Sequence, residues 1–400
     1  MPSSLTWLDH DAAARERSHR LLEMFKETGT VDEMGIGAVR DSIADQLFPG
    51  TSVIQTRLRY ALMVPWLFID LEKRLESAAK FPSVARAREL ELGRTLAKVE
   101  TPGVFGRSAG DSLKRLASSV YWAGLGSWGI RVFRGTQQQY FRQIESIYAA
   151  RARRNRQDDG DWLDPHRGMT WHPALVKLMP EGFPEGASLE LTRDEALFIR
   201  EQWKKTHPDS LLTWLSFDEQ SEKVQADAPW LHARQADFPT GMQSLVEHGR
   251  LFSTLMHGAS LVYNLHLSEV DVRAERVEEY RARLAEWSSK FPASGLIQWD
   301  LDSLWLQVTG KGHSVTLPTR RFVVSWLGIL RSANGDVVDS SEARVLIERR
   351  EQDMKRDRSR FTNPAARKIW GGASGLTELS YRWDITSTFL ADLRAGLDST

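Results

Sequence analysis

Met242-Gln243-Ser244-Leu245-Val246-Glu247-His248-Gly249-Arg250-Leu251-Phe252-Ser253-Thr254-Leu255-Met256-His257-Gly258-Ala259-Ser260-Leu261-Val262-Tyr263-Asn264-Leu265-His266-Leu267-Ser268-Glu269 is the stretch whose reading decides the fold class. Leu245, Phe252, Leu255, Met256, Ala259 and Val262 recur at helical steps and form one wide apolar face. That spacing belongs to a long helix with a buried side, and it makes this the most apolar helix of the chain.

Working outward, a charged helix is expected over Val270 to Phe291. Ile297, Trp299 and Leu301 alternate within Leu296 to Val308, which reads as a short strand pair. Helices follow over Arg320 to Leu330, Ser341 to Arg360 and Tyr381 to Leu397. Upstream, Asp11 to Lys26 reads as an amphipathic helix carrying Leu21, Leu22 and Phe25. Val39, Ile43 and Leu47 predict a helix that Pro49-Gly50 stops, and Thr51 or Ser52 can cap the next, from about Val53 to Ser77, with a kink at Pro65. Turn signals at Phe81-Pro82 and Thr101-Pro102-Gly103 enclose an Arg- and Glu-rich helix. A short helix over Asp111 to Leu116 and a second over Val120 to Trp128, capped by Ser118-Ser119, come next.

The expectation is a mainly α, multi-helical protein of two or three packed helical domains, with a small winged-helix-like unit and a short β-hairpin. Residues 1–150 form a helical domain, 151–240 a charged linker and middle region, and 241–400 a Trp-rich helical domain with a basic C-terminal helix. The charge-dense stretch of residues 151–173, with its Pro and Gly breakers, marks the first boundary, and Ala226 to Thr240 a second, softer one.

The 400 residues carry 53 Lys and Arg against 53 Asp and Glu, so the whole chain has no net field drawing it to nucleic acid. Cysteine is absent, which excludes disulfides, Cys-ligated zinc, iron–sulfur clusters and thiol nucleophiles, and agrees with a reducing compartment. Met1-Pro2-Ser3-Ser4 opens no signal peptide. The apolar run Ala61 to Ile69 holds Pro65 and is far short of the roughly 20 residues a span needs. A cytoplasmic protein with no membrane partner is expected. The 15 Trp residues need burial and an acceptor for each ring N–H, so they should anchor helix packings.

Gly35-Ile36-Gly37 follows no strand and lacks a third glycine, and neither a Walker A sequence nor a nucleophile elbow is present. No cofactor is expected. The Pro49-Gly50-Thr51-Ser52 turn between two helices has the outline of a helix-turn-helix, whose contact residues would be Arg40, Arg57 and Arg59, with Gln55 one turn before Arg59. The competing reading pairs Asp41 or Asp45 with Arg57 or Arg59. A second unit, Leu113 to Ile130, suits a winged helix with Lys114, Arg115, Tyr121, Trp122 and Arg131 as its contact set; the competing reading makes Tyr121 and Trp122 core anchors. The densest positive run lies between Arg344 and Lys368 and includes Arg356, Arg358 and Arg360, a candidate phosphate-tracking helix or a solvated face.

Carboxylates for a metal-dependent nuclease would come from Asp41 and Asp45 or from Glu348, Glu351 and Lys355 on one helix, where Glu–Lys pairing is the plainer account. His257, Ser260 and Asn264 fall on one stripe of the apolar helix and either pair internally or line a pocket. His166 and His172 flank a Trp in the linker without the spacing of a zinc motif.

Several blocks stand together: Thr6-Trp7-Leu8-Asp9, Gly35-Ile36-Gly37 with Arg40-Asp41, Leu47-Phe48-Pro49-Gly50-Thr51-Ser52, Gln55-Thr56-Arg57 with Arg59-Tyr60, Val64-Pro65-Trp66, Tyr121-Trp122, Trp128-Gly129-Ile130, His257-Gly258-Ala259, Tyr263-Asn264 and Tyr381-Arg382-Trp383. Over essentially its whole length the chain resembles a family of bacterial proteins known only as a domain of unknown function. The resemblance implies a setting beside helicase-like ATPases and phospholipase-D-like nucleases in phage-resistance islands, and it brings no catalytic residues. The resulting expectation is a non-catalytic subunit of an antiphage defence system that binds a helicase-like ATPase or nuclease partner and contacts DNA, with the metal-dependent nuclease as the alternative. A sensor of a small ligand at His257 and Asn264 is a third.

Overall fold

The computed structural model describes residues 32–98, 102–107, 110, 113–154, 168–218 and 226–399. The expected helix over Asp11 to Lys26, and His166, lie outside them. Fifteen α-helices occur among the described residues: α1 Gly37–Leu47, α2 Tyr60–Lys73, α3 Phe81–Ala97, α4 Ala117–Ser127, α5 Gln137–Arg154, α6 Leu175–Leu178, α7 Arg193–Thr206, α8 Leu211–Phe217, α9 Thr240–Val270, α10 Ala274–Lys290, α11 Leu301–Thr309, α12 Leu317–Ser332, α13 Ser341–Lys355, α14 Pro364–Lys368 and α15 Trp383–Asp398. The protein is mainly α, as its periodicity predicts. Its β content among the described residues is a single antiparallel bridge between Arg131 and Trp171.

The chain divides into two compact units, one of Met1–Lys26, Phe48–Gln225 and Arg382–Thr400, the other of Glu27–Leu47 and Ala226–Tyr381. Both units are discontinuous in sequence, and one segment boundary falls at Ala226, where the softer boundary is expected.

In the first unit, α2 is buried from Tyr60 to Ile69, Pro65 included. Pro65, the sixth residue of α2, has no N–H for the Ala61 carbonyl, and α2 continues past it to Lys73. The helix starts at Tyr60, not Val53. The backbone N–H groups that an earlier start would use are bonded elsewhere: Ser52 N–H donates to Gln55 Oε1 at 2.9 Å, Thr56 and Arg57 N–H to the Tyr121 hydroxyl at 3.0 and 3.1 Å, and Leu58 N–H to Asp392 at 2.8 Å. The short turn of a helix-turn-helix is therefore a structured segment over residues 48–59. Leu113 to Leu116 are likewise not helical, and α4 begins at Ala117 without a side-chain cap. Helix α4 meets the 48–50 turn at close range. The Trp128 indole donates to Pro49 O at 2.8 Å, and a Cβ on Gly124 would lie 2.4 Å from Gly50 O. An aromatic cluster around Phe68, with Phe81, Tyr140, Trp122 and Trp171, fills the space beside α2. A full capping box of Thr192 and Glu195 opens α7.

The second unit is organised by α9, longer by one or two residues at each end than its apolar face predicts. Helix α10 packs against it most extensively, followed by α13 and α1. Gly258 makes the α9–α10 contact feasible, since a Cβ there would lie 2.4 Å from the Trp287 ring. Trp326 hydrogen-bonds Leu255 O from α12 at 2.9 Å. Val39, Ile43 and Leu47 are buried on α1, as their spacing predicts. The strand pair expected at Leu296 to Val308 is instead a turn followed by α11. Asp300 caps that helix through Asp302 N–H, and Leu304, Trp305 and Val308 are its buried side. The apolar spacing changes to three and four after Leu301, and that step outweighs the three alternating residues before it.

Candidate functional site

The structure takes the arginines of the two sequence-derived contact sets into internal bonding. Arg59 is buried, pairs with Glu195 at 2.7 Å and donates to Ser188 Oγ at 2.8 Å. Arg57 grips Asp392 with Nε and a terminal nitrogen and donates to Pro102 O. Arg131 is buried with its guanidinium 4.7 Å over the Trp122 ring, donating to Trp122 O at 3.1 Å, Gly135 O at 3.0 Å and Phe133 O. Tyr121 and Trp122 are core anchors: the Tyr121 hydroxyl donates to Arg57 O, and the Trp122 indole donates to Gly135 O. Arg40 pairs with Asp41 on α1, Lys114 is exposed, and Arg115 is half-buried.

The run around α13 divides between inside and outside. Arg350 is buried and donates to Met34 O, Gly35 O and Thr319. Arg344 is held by both oxygens of Glu269. Arg360 bonds Glu33 at 2.7 Å, Tyr263 at 3.1 Å and Ser374 at 2.8 Å. Lys355 pairs with Glu33 and lies over the Tyr263 ring. Arg349, Arg356, Arg358 and Lys368 remain exposed, with Asp353 and Asp357 exposed in the same segment. No ion pair or hydrogen bond from a described residue reaches the side chains of Arg356 or Arg358. Arg356 ends α13 in a left-handed conformation, φ 48°. The positive charge shows in its neighbour: burial, then Arg360 and Arg358, push the Lys355 ammonium down to about 7 against the pull of Asp32.

The carboxylates of the nuclease alternative have separate bonds. Glu351 is fully buried and accepts from Arg360 N–H at 2.9 Å and from the Ser359 hydroxyl; Glu348 accepts from His266 at 2.9 Å and Gln352 at 2.8 Å. Asp45 faces His313 at 3.6 Å. Among the described residues no group of three or more His, Asp or Glu could hold a metal ion. Asn264 of the polar stripe is saturated by Ser260 O, Ser374 O and Ser374 N–H, all at 2.7 to 2.9 Å. His257 is half-buried, its Nδ1 lacks a hydrogen-bond partner, and burial pushes its pKa down.

Two buried carboxylates escape a reading by motif. Glu72, on the apolar α2, accepts from Arg151 at 2.6 Å, Thr170 at 2.9 Å, the Trp171 indole at 3.0 Å and Tyr140. Glu89, on α3, accepts from Ser118 N–H at 2.8 Å and Ser118 Oγ at 2.6 Å. A signal existed for Glu72, a carboxylate two residues after Asp70 behind the nine-residue apolar run Ala61 to Ile69; nothing distinguishes Glu89 from the exposed charges of its helix.

These observations define a helical protein of two compact units, with several buried side chains held in internal hydrogen-bond networks and an exposed cationic segment after α13. No helix among the described residues is long and apolar enough to cross a membrane. Residues 2–396 match the profile of a family of unknown function, DUF6361, and the chain belongs to that family. No curated protein and no solved structure matches it.

Proposed function

We propose that the chain is a non-catalytic subunit of an antiphage defence assembly, contacting DNA through the cationic segment of residues 349–368 and holding a helicase-like ATPase or nuclease partner. The observation that carries the DNA contact is the exposure of Arg356 and Arg358 without an ion pair or side-chain hydrogen bond to a described residue, while Arg344, Arg350 and Arg360 are held internally. Uncompensated guanidinium groups on a surface gain from phosphate by charge-assisted, forked hydrogen bonds and by counterion release. The partner and the defence setting come only from the setting that the family resemblance implies.

Fluorescence anisotropy with labelled single- and double-stranded DNA at two salt concentrations, with and without magnesium, tests the reading. The expected result is binding that weakens steeply with salt and leaves the DNA intact. Magnesium-dependent cleavage would replace this reading with the nuclease, and no binding at low salt would remove the DNA contact.

A further inference from the structure

In the first unit, α2, α3, the start of α4 and residues 105–107, 110 and 113 line a cavity of about 150 Å³. Its walls are mainly apolar: Tyr60 and Phe105, whose rings meet edge to face at 5.0 Å, and Leu113 face into it. A carboxyl group, that of Glu89, lines it from a side chain only 7% exposed. Arg94 and Arg107 line it too and are exposed, so this side opens to solvent.

A cavity of this size and polarity has a definite capacity. An apolar space of about 150 Å³ takes a benzene-sized ring, and a fused bicyclic ring is larger. Aromatic walls favour a flat π-face over a branched aliphatic one. Each Glu89 oxygen accepts one bond from Ser118, and a carboxylate offers about four lone-pair sites, so each oxygen retains capacity for a donor from a guest. Above about pH 7, where Glu89 is ionised, a buried carboxylate with spare acceptor capacity selects for N–H, because a guest without a donor leaves it unsatisfied.

We propose that this cavity is a binding site for a flat six-membered ring with an N–H edge, of the pyrimidine-base class, that Glu89 accepts from that edge, and that Arg94 on the solvent side meets a phosphate attached to the ring. Glu and Asp accept from the exocyclic amine of cytosine by the same chemistry in base recognition. The site lies on a different unit from the cationic segment and does not depend on that segment binding DNA.

Calorimetric titration of the full chain with cytosine, deoxycytidine 5′-monophosphate and toluene tests it. The expected result is saturable one-to-one binding of the nucleotide, tenfold or more tighter than cytosine, with Arg94→Ala removing that difference. Glu89→Gln should weaken both ligands at least tenfold. Gly93→Leu is a second variant: Gly93 lines the cavity, its Cβ would sit at an ordinary 3.4 Å from Phe105 O, and leucine favours a helix more than glycine does. It should fold and abolish binding. Absence of saturable binding by the parent chain at millimolar ligand would overturn the proposal. So would binding undiminished in Gly93→Leu, or toluene binding as well as cytosine, which would leave an apolar cavity only.

Discussion

Arg57 and Asp392 are 335 positions apart in the chain and form a two-pronged ion pair: Arg57 Nε lies 2.9 Å from Oδ1 and 3.0 Å from Oδ2, and a terminal nitrogen 2.8 Å from Oδ1. Asp392 Oδ2 also accepts from Leu58 N–H at 2.8 Å. The pair fixes the last helix, α15, to the segment that precedes α2. Asp392→Ala removes the carboxylate from a half-buried guanidinium, leaving it Pro102 O, and removes the acceptor of the buried Leu58 N–H, so a loss of about 3 kcal/mol is expected. Urea unfolding measures it. A change below about 1 kcal/mol would mean that water replaces the carboxylate and that Arg57 is available for another role.

Gly50 sits at φ +79°, and a Cβ there would stand 2.3 Å from the Trp128 indole nitrogen, itself bonded to Pro49 O. Two costs add in Gly50→Ala, the left-handed backbone at about 1 kcal/mol and the collision with a fully buried Trp. Gly182 is the internal control, with φ +75° and nothing within 4 Å of its Cβ position. Thermal or urea unfolding should show Gly182→Ala costing about 1 kcal/mol and Gly50→Ala at least twice that. Equal costs would mean that Trp128 moves aside and that the turn tolerates a side chain.

These cases show what was legible in the sequence. Helix periodicity located α1, α9, α10, α12 and α15, because each has one buried face of regular spacing and the hydrophobic pattern needs no tertiary knowledge. The start of α2 was not legible. Thr51, Ser52 and Gln55 look like a helix cap and first turn, yet Gln55 and Thr51 turn back onto Gly50 O and Phe48 O, and Tyr121 and Asp392 take the next N–H groups. Those partners are 64 and more residues away, where no local pattern reaches. The same limit applied to the candidate site: Arg57 and Arg59 read as contact residues because their carboxylate partners are distant in sequence, and Arg131 because its acceptors are nearby backbone carbonyls, which no side-chain pattern marks. Arg356 and Arg358 keep their exposure because α13 ends beside them.

The two exposed arginines give the DNA contact a quantitative signature. Each phosphate neutralised contributes about 0.9 to the slope of log affinity against log salt concentration. The double variant Arg356→Ala with Arg358→Ala should therefore flatten that slope by close to 2 and weaken binding similarly for unrelated sequences, since phosphate contacts carry no base information. Anisotropy at four salt concentrations reads both. An unchanged slope would move the contact away from this segment; a sequence-dependent loss would mean that these side chains touch base edges.

Glu89 gives the first unit a pH dependence that one substitution should remove. Burial lifts its carboxyl from the ordinary 4.5 to about 7, against the lowering pull of the Ser118 bonds and of Arg86. The folded state thus holds this proton after the unfolded chain has released it. A raised folded pKa contributes stability that is complete below about 4.5, declines as pH rises, and is gone above about 7. The difference between 4.5 and about 7 corresponds to about 3 kcal/mol between those limits. Unfolding free energies of the parent chain and Glu89→Gln should therefore converge in difference as follows: between pH 5 and 8 the parent loses more stability than the variant, by about 2 kcal/mol. Glutamine has no proton to release and still offers an oxygen to Ser118, so its own profile reports only the remaining groups. Parallel profiles would mean that Glu89 ionises near its ordinary pH in the folded chain, with solvent entering the cavity to hydrate it.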